Sequence, residues 1–362
     1  MKYILLFFLL PIGLYAQSEA DSTLTQEEIH FRDSIAALNT ANEQVQLLQE
    51  TYNAGAARFS EGAFGEAILQ FTTVITMDST YVDAYFNRGL SYKESAAYKK
   101  AIADLNMAYV LDSSNTEALF QIAKCWQIQK EYAEAIASFQ KVLLIDANRA
   151  EAAYELGVIH YLQKNYEDAI TAFTQALAIN PSYTYALNDR GSCYRTIGDY
   201  PKAINDYELA IASQPQAFIY NNLGSAYKRV GDKESALKAY NGAIALDATY
   251  AMAYNNRGTL YYEQEDYTEA LKDFEKALSV KTDYPLALCN RAAVYQLQEH
   301  YTGALSDLNK ADKLQPNNAT ILLNRGIVKE MLRDVDGACE DWQRASELGL
   351  ERGREYYINN CE

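Results

Sequence analysis

The sequence has few of the residues and motifs that enzymatic chemistry needs. It contains three histidines, His30, His160 and His300, and no set of His, Cys and carboxylate residues has the spacing of a metal site. A glycine loop that could cradle a phosphate and a nucleophile elbow are both missing. We therefore expect no metal and no other cofactor, and we predict that the protein is not an enzyme.

Positive charge is also scarce. Lysine and arginine number 32 against 48 aspartates and glutamates, which gives a formal net charge of −16. This balance argues against a basic groove for nucleic acid, so we expect proteins as partners. The acidity is explained most simply by solubility, and the alternative is a preference for basic partners.

A long apolar run is found only at the N-terminus, which begins MKYILLFFLLPIGLYAQ. Lys2, the apolar residues 3–10 and the small residue Ala16 form the pattern of a secretory signal peptide, here residues 1–16. The alternative is a membrane anchor, but a span needs about 20 apolar residues. The mature protein is expected to be exported, to the periplasm or otherwise secreted, without insertion into the membrane.

The chain does contain a repeat of 34 residues, illustrated by residues 251–284. Each copy predicts two short amphipathic helices separated by a polar break. The eighth position is small, the twentieth is alanine in all nine copies, and the twenty-fourth is large and apolar or aromatic. The copies begin at Leu48, Val82, Thr116, Ala150, Thr184, Ala217, Ala251, Pro285 and Ala319.

At these positions the chain resembles the tetratricopeptide repeat family. The resemblance implies an all-α fold, a right-handed superhelical solenoid of about nine helix-turn-helix repeats over residues 48–350, with a C-terminal cap at 351–362. No Gly/Ser-rich linker interrupts the repeats, so we expect one continuous array. The family is a scaffold for many partners, which implies a protein that binds an extended protein segment in its concave groove. The alternative is a structural subunit of an envelope or secretion assembly, with contacts through the convex face and edges.

Residues 17–47 form a polar leader that includes the start of the first helix. Thr25 with Glu28 and Thr40 with Glu43 each match a capping box. The first box predicts a short helix through Leu38, and the second predicts that the first repeat helix opens near Ala41.

Groove residues are implied by the family's use of its first helices, whose sixth position points into the groove. Amides there offer donors and acceptors to the backbone of an extended peptide, or they brace neighbouring helices, and both interpretations stay open. At the fifth position, aromatic rings in the first repeats and amides in later ones would orient a bound segment, unless they only pack between helices. The candidate groove residues are Phe86, Asn87, Phe120, Tyr154, Asn188, Asn221, Asn222, Asn255, Asn256, Asn290 and Asn324. Relatives that clamp a C-terminal carboxylate use cations at the second and fifth positions, which this chain lacks.

Arginine and aspartate vary together between repeats. Five units carry arginine at the seventh position and aspartate at the twenty-third, whereas the other four carry neither. A partly buried arginine needs a fixed acceptor, which predicts five ion pairs, each within one repeat, and the alternative is unrelated surface charges. The pairs are Arg88–Asp104, Arg190–Asp206, Arg257–Asp273, Arg291–Asp307 and Arg325–Asp341.

Two of the five cysteines are candidates for a disulfide. Cys339 lies in the last repeat helix, and Cys361 lies in the cap that should fold back on that helix. A bridge in an oxidising compartment would pin the cap, although the sequence leaves the oxidation state open.

Overall fold

The computed structural model describes residues 25–362, and the predicted signal peptide at 1–16 lies outside them. These residues form nineteen α-helices and no strand. The first is α1 (Gln26–Ser60), and the last is α19 (Glu351–Cys361). Between them lie α2 (Phe64–Met77), α3 (Val82–Glu94), α4 (Tyr98–Leu111), α5 (Thr116–Ile128), α6 (Tyr132–Ile145), α7 (Ala150–Leu162), α8 (Tyr166–Ile179), α9 (Thr184–Ile197), α10 (Tyr200–Ser213), α11 (Ala217–Val230), α12 (Lys233–Leu246), α13 (Ala251–Glu263), α14 (Tyr267–Val280), α15 (Pro285–Leu297), α16 (Tyr301–Leu314), α17 (Ala319–Met331) and α18 (Val335–Glu347). None of these helices is both long and apolar enough to cross a membrane.

The helices follow the repeat register, because α3 and every second helix up to α17 begin at the first residue of a repeat. Each break is a tight turn with one residue in the left-handed region. Gly198 and Gly231 take this role after α9 and α11, with φ of 88° and 86°. The next residues, Asp199 and Asp232, cap the following helices by accepting backbone N–H bonds.

The chain divides into two compact units, one up to Ser138 and one from Phe139 to Glu362, with the boundary inside α6. This differs from the expectation of one continuous array. In a repeat protein each repeat contacts chiefly the repeats next to it, so contacts between distant repeats that would join the whole chain into a single compact unit are few.

Within each unit, the core lies between the paired helices and between successive pairs. The alanines of the twentieth position and the large residues of the twenty-fourth, such as Phe71, Tyr207 and Phe274, are buried. The small eighth position makes this possible. A Cβ on Gly258 would lie 2.8 Å from the Phe274 ring, so glycine permits the close approach of α13 and α14.

Helix α1 corrects the prediction for the leader. Thr25 and Glu28 form the predicted capping box, but the helix then runs without a break to Ser60. Thr40 opens no second helix, because its hydroxyl donates to the Ala36 carbonyl inside α1. Residues 30–47 of this helix are exposed.

The C-terminal cap forms as helix α19. Tyr356 packs on Trp342 of the last repeat, with ring centroids 5.2 Å apart. Cys339 and Cys361 form the predicted disulfide, with their Cα atoms 5.8 Å apart. The bridge therefore ties α19 to α18.

Candidate functional site

The candidate site lies on the first helices of the second unit. Helices α9, α11, α13 and α15 contact one another in succession, although each also pairs with its own second helix. We call the surface formed by the sixth, ninth and twelfth repeat positions of these helices the first-helix face. The side chains at these positions decide what the face can bind.

The amides form a ladder between repeats. In α11, α13 and α15, the sixth-position asparagine donates its Nδ2 to the Oδ1 of the fifth-position asparagine in the preceding repeat. The bonds are Asn222 to Asn188 at 3.0 Å, Asn256 to Asn221 at 2.9 Å and Asn290 to Asn255 at 2.9 Å.

The ladder corrects the assignment of the fifth-position amides to the groove. Asn188, Asn221 and Asn255 are buried, with at most 6% of their surface exposed. Successive helix residues point about 100° apart, so the fifth side chain turns towards the next repeat while the sixth stays at the surface. The fifth-position amides therefore brace helices and cannot reach a ligand.

The sixth-position asparagines lie half-buried at the rim of the face. The ladder hydrogen bonds fix the side-chain orientations of Asn222, Asn256 and Asn290. Asn256 also accepts a bond from Asn255, and Asn290 also donates to Thr259, both at 3.4 Å. An amide has two N–H donors and an oxygen with two lone pairs, so each side chain still has hydrogen-bonding capacity for a ligand. Asn324 is half-buried at the equivalent place in α17.

The fifth-position rings also pack between repeats. Tyr154 lies against Phe173 and Tyr183, with centroids 5.6 and 5.0 Å away, and its hydroxyl donates to Asp189 at 2.9 Å. Burial raises the pKa of both Tyr154 and Asp189. Tyr154 is thus a packing residue, which corrects its assignment to the groove.

The first unit repeats this arrangement with a tyrosine that was not among the predicted groove residues. Tyr52 occupies the fifth position of the first repeat and accepts a hydrogen bond from Asn87 at 2.7 Å. The rings of Phe86 and Phe120 are half-buried at the same position of the next two repeats. The shared register was the signal that would have identified Tyr52.

All five arginine–aspartate pairs are formed within their repeats, and all are bidentate. In each, arginine Nε donates to Oδ2 and one terminal nitrogen donates to Oδ1, at 2.6–2.9 Å. The aspartates are buried. In four pairs the other terminal nitrogen reaches the second helix of the preceding repeat, at Thr72, Thr174, Asn241 or Asp312. The arginines therefore also join neighbouring repeats, which comparison within single repeats did not indicate.

A cavity of about 620 Å³ opens on the first-helix face. Its cations come from successive repeats: Arg195 and Lys228 both occupy the twelfth position, and Arg229 follows at the thirteenth. Lys228 Nζ lies 2.8 Å from Oε1 of Glu263, which also lines the cavity. We call this site the basic cavity. This site was not predicted from the sequence, because the family's carboxylate clamp uses the second and fifth positions, whereas these cations lie at the twelfth and thirteenth.

A second cavity, one repeat further along, has no cation in its lining. Its volume is about 80 Å³, and it is lined by Thr259, Tyr262, Phe274, Asn290 and Ala293. Tyr262 takes the twelfth position that Lys228 holds in the basic cavity. The concentration of positive charge is thus confined to one stretch of the face.

No group of three or more His, Cys, Asp or Glu side chains within residues 25–362 is arranged to hold a metal ion.

Comparison with known proteins agrees with the helix register. Two family models described as tetratricopeptide repeat match the chain, one at residues 150–183 and 251–284, the other at 116–149, 184–216 and 219–250. Among curated proteins, no relative matches the chain.

Several solved structures share the fold. A tetratricopeptide repeat protein from Parabacteroides merdae is 19% identical, with a TM-score of 0.55 over 68% of this chain and 99% of its own. PilF of Pseudomonas aeruginosa is 22% identical, with a TM-score of 0.53 over 58% of this chain and 97% of its own. The APC/C hetero-tetramer Cut9-Hcn1 gives 14% identity and a TM-score of 0.55, covering 87% of this chain and 76% of the matched one. At these identities the likeness establishes the fold alone.

Proposed function

Because this chain contains tetratricopeptide repeats, which generally mediate protein–protein interactions, we propose that it is a non-enzymatic scaffold for another protein. It binds an extended segment of its partner along the first-helix face, and it needs no cofactor.

The observation that carries this proposal is the regular row of half-buried amides. Asn222, Asn256 and Asn290 recur once per repeat, and the ladder holds each in a fixed orientation. Packed helices lie about 8–10 Å apart, and an extended chain advances about 3.3 Å per residue. One amide therefore meets the backbone of a bound segment about every three residues, which suits recognition of backbone over sequence.

A selection of displayed random peptides against the full chain tests this function. Peptides that bind should lose about ten-fold or more in affinity when Asn256 is changed to alanine. The matched control is Asn205→Ala on α10, because Asn205 is exposed on a second helix away from the face. Circular dichroism checks that both variants keep their helices. Failure to select any peptide, or equal losses in both variants, would contradict the proposal.

A second candidate function is a structural subunit that binds through its edge. Helix α1 favours it, because Phe31, Ile35, Leu38 and Val45 form a spaced apolar stripe whose members are 45–70% exposed. Their spacing suits packing against a second helix, and a second copy of the chain is the simplest source of one. Light scattering distinguishes this function: the protein should be a dimer, and Phe31→Ser with Leu38→Ser should make it monomeric. A monomeric native protein argues against it.

We also propose that the protein is exported. The N-terminal pattern supports this, and so does the Cys339–Cys361 disulfide, since such bridges persist in oxidising compartments. N-terminal sequencing of the protein from a periplasmic extract should begin at Gln17. An unprocessed Met1 in a cytoplasmic fraction would contradict export.

A further inference from the structure

We propose that the basic cavity binds the carboxylate of an aspartate or glutamate side chain in the partner's segment. The inference rests on the proposed function and names the chemistry that the segment must carry. It concerns residues that lie outside the positions used by the family's clamp for a terminal carboxylate.

The charge balance of the cavity is opposite to that of the chain. Three cations line it against one carboxylate, in a protein whose net charge is −16. Glu263 pairs with Lys228 at 2.8 Å, whereas Arg195 Nε is 3.4 Å from the hydroxyl of Tyr207. A hydroxyl leaves the arginine charge unneutralised. Arg229 is exposed at the cavity. The cavity therefore has a positive excess that an anion can neutralise.

The neutral lining suits a carboxylate as well. Ser225, Tyr240 and Asn256 supply hydroxyl and amide groups beside the cations. A guanidinium presents paired N–H donors that match the two oxygens of a carboxylate, and such charged bonds are stronger than neutral ones. The lining thus combines charge attraction with directional hydrogen bonds.

The row of twelfth-position side chains indicates that the basic cavity receives a side chain from within the partner's segment and not the end of its chain. The twelfth position reads Tyr161, Arg195, Lys228 and Tyr262 in the successive first helices α7, α9, α11 and α13, so this row of side chains continues past the cations on both sides. About 620 Å³ also exceeds what a carboxylate alone requires. A segment can therefore pass across the cavity and lower one acidic side chain into it, with neutral residues over the tyrosines.

The acidity of the whole chain does not prevent this binding. At physiological ionic strength the Debye length is about 8 Å, so charges on distant repeats are largely screened. The cations lining the cavity act at hydrogen-bond distance and are screened far less.

The test compares two peptide selections against the full chain, one on the native protein and one on Arg195→Gln with Arg229→Gln. Native selections should be enriched in peptides with an internal aspartate or glutamate, and this enrichment should disappear for the double variant. Peptides bound without acidic enrichment would overturn the inference and leave the proposed function standing. No bound peptide at all would overturn both.

A binding cycle then measures the contact. The best acidic peptide is synthesised with both ends blocked, once with its acidic residue and once with the corresponding amide. Fluorescence anisotropy should show a loss of about ten-fold for the amide peptide on the native protein and little difference on the double variant. Lys238→Gln, which removes an exposed charge on α12, is the matched control and should behave as native. Equal binding of the two peptides, or binding only when the C-terminus is left unblocked, would refute a side-chain site.

Discussion

Changing Asp273 to alanine should destabilise the protein far more than changing both members of its ion pair. Arg257 donates to Asp273 through Nε at 2.7 Å and through a terminal nitrogen at 2.6 Å. The equivalent positions of the preceding repeat hold Leu223 and Ala239. The chain thus contains its own apolar version of the pair, which supplies the double substitution Arg257→Leu with Asp273→Ala.

The structure sets the size of the single effect. The side chains of Arg257 and Asp273 are 20% and 7% exposed. Loss of one partner from a buried pair costs about 3–5 kcal/mol, because the other charge remains buried and unpaired. Arg257 keeps a bond to Asn241 and lies 5.7 Å from the ring centre of Tyr254, so we expect the lower end, about 3 kcal/mol.

The double variant should lie within about 1 kcal/mol of the native protein, because apolar replacement of a buried pair is often neutral. Burial raises the pKa of Asp273 even though Arg257 opposes the shift. Desolvation of the carboxylate therefore outweighs the effect of Arg257 on this pKa, and the double variant removes the desolvation cost together with the attraction. The coupling free energy should be at least about 2 kcal/mol.

Urea unfolding followed by circular dichroism gives the free energies. Repeat arrays can unfold in more than one step, so hydrogen exchange in α13 and α14 provides the local measurement. Asp283→Ala is the control, because Asp283 is 67% exposed and its bond to Lys310 is 3.3 Å long. Its loss should cost no more than about 1 kcal/mol.

Two results would refute this reasoning. Additive effects of Arg257→Leu and Asp273→Ala would mean that the two side chains do not act as a pair. A loss from Asp273→Ala no larger than that from Asp283→Ala would mean that burial contributes nothing to the cost.

Three further predictions concern the ends and the core of the repeats. Cys361→Ser should lower the free energy of unfolding by about 3 kcal/mol, as expected for the loss of a bridge to Cys339 that spans 22 residues. Unfolding with and without reductant measures this effect, and an unchanged midpoint of the native protein after reduction would contradict it. Burial acts to raise the pKa of Asp341, but hydrogen bonds from two cations outweigh burial and hold the pKa below its unfolded value of 3.8. The contribution of Asp341 to the free energy of unfolding is therefore present above pH 3.8 and is lost as the pH falls through the lower folded pKa. Urea titrations of the native protein and Asp341→Asn from pH 7 to 3 should converge towards low pH, and a constant gap would count against this. Gly258→Ala should cost about 1–3 kcal/mol in thermal unfolding, because the new Cβ would lie 2.8 Å from the Phe274 ring; a neutral result would mean that the ring moves freely.

The sequence by itself determined where the first helices of the second to ninth repeats begin and several contacts between helices, although it divided α1 wrongly. A repeat supplies nine versions of each position, so the starts at Val82 and Ala251 could be predicted from spacing alone. The same comparison found Arg257 with Asp273, because residues that vary together within one unit are in contact. The sequence also nominated Cys339 and Cys361, since a cap that folds back on the last repeat brings them together.

Only the tertiary structure decided which polar side chains remain available for a ligand. Asn255 and Asn256 are neighbours in sequence, yet one is 1% exposed and the other is half-buried at the surface. The turn of about 100° between them matters only once the next repeat is packed in place. Arg195 and Lys228 are 33 positions apart, and their convergence on one cavity follows from the stacking of first helices. Periodicity predicts which residues share a position, whereas burial and convergence depend on what packs against that position.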